Sequence, residues 1–347
     1  MSVPIRVVLV DDSAFIRYTV AKYLQEDPGI EIVGNARDGL DALEQIPRLK
    51  PDVVVLDVEM PRMDGLTALK RIMVECPTPV VMLSGLTQQG ARTTIQALMR
   101  GAVDFVPKPD AKINIHTVVE DLAAKIKAAA GSGTKSIRPP TTGEVKSPPA
   151  KRGPRPLGRE DPVVVIGTST GGPRALQEVL TNLPADFPAA VLVVQHMPPG
   201  FTRSLAQRLN QASALVIQEA ADGDRLARGL VLLAPGDYHM QFRRAKQVEL
   251  NQGPRRRHVR PSVDATMESA VEYHGANVIG VVLTGMGDDG TEGARQIKKA
   301  GGLVIAEHES TSVVYGMPAS VVRAGLADKV VPLPKVAPTL VELINHG

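Results

Sequence analysis

The stretch Val53-Val54-Val55-Leu56-Asp57 decides the fold of the first part of the chain. Its four apolar residues form the continuous run that is typical of a strand buried on both faces of a parallel sheet. A segment with helical periodicity, Leu66–Val74, follows and completes a βα unit. Four further runs alternate with helical segments in the same way, at Arg6–Val10, Glu31–Val33, Val80–Leu83 and Val103–Val106. Five such units predict a doubly wound parallel sheet.

The residues just past these strands form a chemical pattern, because ligands of such sheets bind beyond the carboxyl ends of the strands. Carboxylates follow the first and third strands, at Asp11, Asp12 and Asp57, while Ser84 follows the fourth strand and Lys108 the fifth. Three carboxylates at one edge repel one another unless a cation neutralises them, and an all-oxygen ligand set suits Mg²⁺. We therefore predict a magnesium site at which Asp57 attacks a phosphoryl donor.

Through these motifs, residues 5–127 resemble the receiver domain of bacterial response regulators. The segments that carry the resemblance are Val10-Asp11-Asp12-Ser13, Leu56-Asp57-Val58-Glu59-Met60-Pro61, Asp64-Gly65 and Val106-Pro107-Lys108-Pro109. The resemblance implies a flavodoxin-like sheet of five parallel strands and phosphorylation at Asp57. It also implies Mg²⁺ ligands at Asp11, Asp12, Asp57 and the backbone carbonyl of Glu59, and switch residues at Ser84, Phe105 and Lys108.

A change of composition predicts the boundaries of the domains. Residues 131–160 contain 5 Gly, 6 Pro and 3 Ser with a net charge of +5 and no sustained apolar periodicity. Such a segment buries too little apolar surface to offset the entropy of folding. We predict a receiver at residues 1–130, a flexible basic linker at 131–160 and a second domain at 161–347.

The second domain opens on another apolar run, Val163-Val164-Val165-Ile166, and a glycine-rich turn, Gly167-Thr168-Ser169-Thr170-Gly171-Gly172, follows it. Two kinds of site fit this turn. Its backbone N–H groups can cradle a phosphate, or a tight bend can expose a nucleophilic serine, Ser169. The long polar segment at residues 236–250 predicts an antiparallel hairpin at the edge of a second, mostly parallel α/β sheet.

A nucleophilic serine needs a base and a carboxylate that orients the base. His196 and His308 both follow predicted strands, and spacing does not choose between them. Asp288 and Asp289 follow another predicted strand within a glycine-rich turn and are the candidates for the orienting carboxylate.

Five segments of the second domain form a recognisable set: Ile166–Gly172, Val194-Gln195-His196-Met197, Arg260-Pro261-Ser262-Val263-Asp264, Leu283–Gly290 and Tyr315-Gly316-Met317-Pro318. Through them, residues 161–345 resemble the catalytic domain of CheB-type chemotaxis methylesterases. The resemblance implies a triad of Ser169, His196 and Asp289, with Thr170 beside the nucleophile and the backbone N–H of Met286 at the oxyanion.

The resemblance implies a phosphorylation-activated hydrolase that needs no cofactor for its own chemistry. Its substrates are methyl-accepting chemoreceptors, whose glutamyl γ-methyl esters it hydrolyses and whose glutamines it deamidates, and its phosphodonor is a chemotaxis histidine kinase. The alternative is a receiver-linked regulator without enzymatic activity, which binds a receptor or a phosphate ligand at the glycine-rich turn. Methanol release distinguishes the two.

Composition restricts the remaining classes of protein. The single cysteine excludes an internal disulfide, and no apolar run approaches the roughly 18–20 residues that span a bilayer. We expect a cytoplasmic protein that does not insert into a membrane. The basic run Arg255-Arg256-Arg257 suggests nucleic-acid binding, but residues 161–347 have no net charge and aromatic residues make up 3% of the chain. We therefore predict a basic rim that steers an acid-rich substrate, and no nucleic-acid partner.

Overall fold

The structure of the protein is a computed structural model, which describes residues 3–108, 115–132, 151–158, 160–244 and 246–346. These residues form two units, the first ending its described part at residue 132 and the second beginning at residue 151. Residues 133–150 and 159, which make up most of the predicted linker, lie outside the described residues, as does Pro109. No helix in the described ranges has both the length and the apolar character that crossing a membrane requires.

The first unit has a sheet of five parallel strands in the order β2-β1-β3-β4-β5. This arrangement confirms the predicted doubly wound sheet. The strands are β1 Ile5–Val10, β2 Ile30–Ala36, β3 Val53–Asp57, β4 Val80–Ser84 and β5 Asp104–Pro107. The helices are α1 Ala14–Leu24, α2 Gly39–Leu49, α3 Gly65–Glu75, α4 Gln88–Met99 and α5 Ile115–Ser132.

Four of these helices begin where a short polar side chain accepts a hydrogen bond from a backbone N–H of the first turn. The capping residues of α1 to α4 are Ser13, Asp38, Asp64 and Thr87. Such caps satisfy N–H groups that have no partner inside the helix. Every residue of β3 and β4 is buried, as their continuous apolar runs predict.

The second unit has a sheet of seven strands in the order β16-β15-β14-β7-β8-β11-β9, and every pairing in it is parallel. The strands are β7 Val163–Thr168, β8 Ala190–Gln195, β9 Val216–Glu219, β11 Leu230–Leu233, β14 Val278–Val282, β15 Leu303–Glu307 and β16 Lys329–Val331. The helices are α6 Gly172–Thr181, α7 Phe201–Ala212, α8 Val263–His274, α9 Thr291–Lys299, α10 Met317–Arg323 and α11 Leu333–His346, with a short 3-10 helix at Gly275–Asn277.

The predicted antiparallel hairpin is present as β12 His239–Arg244 and β13 Gln247–Asn251. Among the described residues it forms a two-stranded sheet of its own, and it is joined not to edge strand β9 itself but to the segment just past it, where the N–H of Val248 donates to the carbonyl of Asp224 (2.8 Å). The hairpin is also held by α8. The Oγ1 of Thr266 donates to the carbonyl of Met240 (2.7 Å), and the backbone N–H of Phe242 donates to Ser269 Oγ (2.9 Å).

The described ends of the segment predicted as a linker belong to secondary structure of the two units. Helix α5 continues to Ser132. Strand β6, Arg155–Pro156, pairs with β10, Ala227–Arg228. Leu157 is buried in the core of the second unit. Strand pairing, the burial of Leu157 and the hydrogen bond of Arg155 to the carbonyl of Asp186 (3.2 Å) together dock this segment, and an average over thirty residues conceals them.

Candidate functional site

The first candidate site lies at the carboxyl edge of the five-stranded sheet. One oxygen from each of Asp11, Asp12 and Asp57 lies within 4.8 Å of the others. Lys108 Nζ lies 2.8 Å from Asp11 Oδ2 and 2.7 Å from Asp57 Oδ2. Asp11 and Asp57 are buried, whereas Asp12 is exposed. The sheet thus brings together the carboxylates and the ammonium group that the strand ends predict.

Burial raises the pKa of Asp57 to about 6, and the negative charge of Asp11 adds to this effect. The ammonium group of Lys108 and the N–H of Glu59, 3.2 Å from Asp57 Oδ1, oppose it. One lysine therefore leaves the buried carboxylates only partly neutralised. A hard divalent cation prefers such a set of oxygen ligands, so the residues present fit Mg²⁺.

The predicted switch residues lie on β4, which is next to β3, and on or just after β5, the following strand of the sheet. Ser84 is the last residue of β4, is fully buried and accepts a hydrogen bond from Thr94 Oγ1 (2.7 Å). The backbone N–H of Lys108 donates to the carbonyl of Ser84 (2.8 Å), which joins the ends of β4 and β5. The ring of Phe105 is buried, with Lys125 Nζ 5.6 Å from its centre.

The second candidate site lies at the carboxyl edge of the seven-stranded sheet. Thr168 and Gln195 are the last residues of β7 and β8 and pair with each other. Ser169 and His196 are the next residue on each strand, and the N–H of His196 donates to the carbonyl of Thr168 (3.1 Å). Because paired strands run roughly 4.8 Å apart, this register places Ser169 and His196 side by side.

His196 is also in contact with a carboxylate from a third strand end. Its Nε2 lies 2.8 Å from Asp289 Oδ2, and Asp289 is only 3% exposed. Burial by itself raises the pKa of Asp289, but the hydrogen bond and charge of His196 and the N–H groups of Asp264 and Val263 outweigh it. They lower the pKa to about 2. An ionised carboxylate only accepts hydrogen bonds, so Nε2 donates to it, and in a neutral imidazole this leaves the lone pair on Nδ1.

The alternatives that spacing left open lie elsewhere. His308 is exposed, and its Nδ1 contacts Ser310 Oγ at 2.9 Å. Asp288 is exposed and forms an ion pair with Arg257. The structure therefore places His196 in contact with Asp289 and Ser169 at the end of the neighbouring strand β7, whereas His308 and Asp288 make other contacts.

Glycine-rich turns surround Ser169. The N–H of Ser169 donates to the carbonyl of Thr284 (3.0 Å), and Thr284 Oγ1 donates to the carbonyl of the buried Thr170 (2.9 Å). A Cβ atom at Gly285 would lie 2.8 Å from Ser169 Cβ, so a side chain there would displace the serine. The next residue, Met286, is 41% exposed at the edge of the site.

Sequence reasoning missed a buried carboxylate that supports these turns. Glu307, the last residue of β15, is 0% exposed and accepts hydrogen bonds from the N–H of Thr284 (2.8 Å) and from Thr311 Oγ1 (2.9 Å). Burial raises the pKa of Glu307 to about 7, although these hydrogen bonds oppose the rise. A charged residue that ends an otherwise apolar strand was the available signal.

The arginine-rich run is matched by acidic side chains. Arg255 and Arg260 pair with Asp237, and Arg256 forms two hydrogen bonds with Glu268, of 2.6 and 2.7 Å. Arg257 pairs with the buried Asp264, whose Oδ1 accepts the N–H groups of Gly290 and Gly293 (2.8 Å each). These arginines fix loops around the site. They leave less free charge for steering a substrate than the sequence predicts.

These two sites define the class of protein. A receiver with an acidic pocket is joined to an α/β domain in which a serine and a histidine follow neighbouring strands and the histidine contacts a buried aspartate. The response regulator receiver family matches residues 7–120, and the CheB methylesterase family matches residues 164–340. The chain belongs to the CheB methylesterase family.

Relatives over the whole length support this assignment. A protein-glutamate methylesterase/protein-glutamine glutaminase of Symbiobacterium thermophilum is 49% identical, over 99% of this chain and 98% of the relative. One of the same name from Archaeoglobus fulgidus is 46% identical over 98% of each chain. The crystal structure of the Thermotoga maritima CheB methylesterase catalytic domain covers 53% of this chain and 98% of its own, with 49% identity and a TM-score of 0.52. The predicted family and enzyme class are confirmed, and the regulator without enzymatic activity is disfavoured.

Proposed function

We propose that this chain is a protein-glutamate methylesterase and protein-glutamine glutaminase that acts on methyl-accepting chemoreceptors. The observation that carries the proposal is the contact of His196 with the buried Asp289 beside Ser169, at the ends of adjacent strands. A serine, a neutral imidazole and an ionised carboxylate are the groups that acyl transfer to water requires.

The reaction proceeds through an acyl-enzyme. His196 removes the proton of Ser169 Oγ as the oxygen attacks the side-chain carbonyl of the receptor residue. The imidazolium that results is stabilised by Asp289 and gives its proton to the leaving methanol or ammonia. Water then attacks the acyl-enzyme with His196 again as base, which releases the glutamate and restores Ser169. This chemistry needs no cofactor in the second unit.

Met286 and Thr170 serve the oxyanion that forms on the substrate carbonyl. Gly285, which has no side chain, packs against Ser169, and this supports a position for the N–H of the next residue, Met286, close to that carbonyl. Thr170 follows the nucleophile and is held by Thr284. Backbone donors held by such turns stabilise the developing charge because they need no reorganisation during the reaction.

The receiver regulates this activity through Asp57, which accepts a phosphoryl group from a chemotaxis histidine kinase. Asp11, Asp12, Asp57 and the carbonyl of Glu59 would hold Mg²⁺, which neutralises phosphoryl oxygens when it is bound. Lys108 lies within 3 Å of Asp57 and can move with the new phosphoryl charge, while Ser84 and Phe105 report its presence to the surface. We place the linker between Ser132 and Lys151, with the receiver before it and the methylesterase domain after it.

The family also implies where the enzyme works. We expect it in the cytoplasm, on the cytoplasmic part of its receptors, without insertion into the membrane and without a nucleic-acid partner. The pairing of the arginine-rich run with acidic residues supports the last point.

Methanol release from methylated receptor membranes tests the proposal. The full-length chain should release methanol, and Ser169→Ala should reduce the release by several orders of magnitude. A regulator that only binds receptors releases none with either chain, and equal release by both chains removes Ser169 from the mechanism.

A further inference from the structure

The side chain of Gln195 bridges the turn that carries the serine and the turn that carries the histidine. It is only 2% exposed. Its Nε2 lies 3.0 Å from the carbonyl oxygen of Ser169 and 3.1 Å from that of His196, and it donates to both. One amide group therefore holds the backbones of both proposed catalytic residues.

The orientation of this amide follows from its neighbours. If Nε2 and Oε1 exchanged places, an amide oxygen would face two carbonyl oxygens, which repel it. Oε1 is buried and has no hydrogen-bond partner among the described residues. It lies where a Cβ atom at position 172 would be, so Gly172 leaves room for the amide. The two bonds that Nε2 donates offset the cost of burying Oε1 as an acceptor without a hydrogen bond.

The strand ladder does not provide this link. The pairing of β7 with β8 ends at Thr168 and Gln195, and among the described residues the bond from the N–H of His196 to the carbonyl of Thr168 is the last one between these two backbones. Past that point the chains turn apart into α6 and the loop before α7. The Gln195 amide extends the connection by one residue on each chain, to the residues that carry the chemistry.

We propose that Gln195 is a positioning residue that sets the separation of Ser169 from His196, an inference that rests on the proposed triad. Gln195 does not touch the reacting atoms. Loss of its two bonds should let the two turns drift apart, and a small misplacement of reacting groups lowers the rate of the chemical step far more than it lowers binding.

The test compares two variants of the full-length chain. Gln195→Met keeps the length of the side chain and removes both donated bonds. Ser213→Ala is the matched control, since Ser213 is also fully buried and makes two hydrogen bonds, to the carbonyl of Leu180 (2.7 Å) and from the N–H of Leu215 (3.1 Å). Methanol release from receptor membranes gives kcat and KM, fluorophosphonate labelling gives the reactivity of Ser169, and thermal unfolding gives the folded fraction.

We expect Gln195→Met to lower kcat and the labelling rate by roughly 10- to 100-fold with KM within about twofold of wild type. Ser213→Ala should lose a similar amount of stability and retain its kcat. The inference is overturned if folded Gln195→Met keeps a wild-type kcat, or if both variants lose activity only in proportion to their unfolded fraction. A wild-type chain that neither reacts with the fluorophosphonate nor releases methanol contradicts the proposed function itself.

Discussion

Asp289 Oδ2 lies 2.8 Å from His196 Nε2, although the two residues are 93 positions apart in the chain. The same oxygen accepts the N–H of Val263 (2.7 Å), and Oδ1 accepts from Ser262 Oγ (2.9 Å) and the N–H of Asp264 (3.0 Å). Four donors therefore hold one buried carboxylate in its ionised state at the start of α8. The imidazole meets a rigid partner, and this defines which of its nitrogens carries the proton.

The first prediction concerns the base. His196→Ala should lower methanol release by several orders of magnitude, and the double variant with Ser169→Ala should cost little more, because the two residues act as a unit. His308→Ala is the control, since that exposed side chain contacts Ser310 and should be close to neutral. If His308→Ala lowered methanol release severely and His196→Ala lowered it only slightly, the base would be His308 and not His196.

The second prediction separates two neighbouring carboxylates. Asp289→Asn keeps the shape of the side chain but can no longer accept the Nε2 proton as an anion, so kcat should fall on the order of 10⁴-fold, as in other serine triads. Asp288→Asn breaks only an exposed ion pair with Arg257 and should be within a few-fold of wild type. Steady-state kinetics on receptor membranes measure both, and equal losses would argue against a special role for Asp289.

The third prediction concerns pH and stability. The pKa of Glu307 is about 7 in the folded chain against an ordinary 4.5, so the native state binds the proton more tightly than the unfolded state does. The stability this contributes is fully present below pH 4.5 and is lost as pH rises through 7. The difference corresponds to about 3 kcal/mol.

Glu307→Gln imitates the protonated side chain and should flatten this dependence. Urea unfolding gives the free energy of unfolding of both chains at pH 5 and at pH 8. The difference between variant and wild type should change between these two pH values. Glu309→Gln, an exposed neighbour, serves as the control and should leave the dependence intact. A pH dependence that is the same in wild type and Glu307→Gln would show that Glu307 is ionised throughout.

The fourth prediction concerns phosphorylation. Asp57→Asn should abolish labelling by acetyl phosphate, and removal of Mg²⁺ from the wild type should do the same. Asp11→Asn should weaken both metal binding and labelling, whereas Asp27→Asn, which pairs with Lys127 away from the acidic pocket, should label normally. Acid-stable phosphate on the Asp57→Asn chain would contradict an acyl phosphate at this position.

The fifth prediction concerns regulation. Phosphorylation should speed methanol release by the full-length chain and leave Asp57→Asn unchanged. A shortened chain that begins at Lys151, and so keeps β6 and Leu157, should be faster than the unphosphorylated whole if the receiver inhibits. A tenfold gain requires about 1.4 kcal/mol of coupling. A shortened chain that is no faster would instead mean that the receiver activates the enzyme or brings it to its substrate.

The apolar runs of the sequence determined both parallel sheets and the edge at which each site lies. Runs such as Val53–Leu56 or Val163–Ile166 are too apolar to face water on either side, so helices must cover both faces of the sheet, and polar residues can collect only where a strand ends. The acidic residues after β1 and β3 and the serine after β7 were identifiable for this reason. The hairpin was also predictable from its alternation, but its partner was not, since packing on α8 depends on the path of the whole chain.

Apart from the family resemblance, which implied the partners of Ser169, only the tertiary structure decided which side chains meet. Sequence position placed His196 and His308 equally well at strand ends, and only the order of strands in the sheet puts β8 beside β7 and leaves β15 two strands away, beyond β14. The roles of Gln195 and Glu307 were invisible for the same reason, because a buried polar residue takes its meaning from the groups to which it bonds. Periodicity reports how each segment faces the core, whereas contacts between residues a hundred positions apart arise from the crossovers that set strand order.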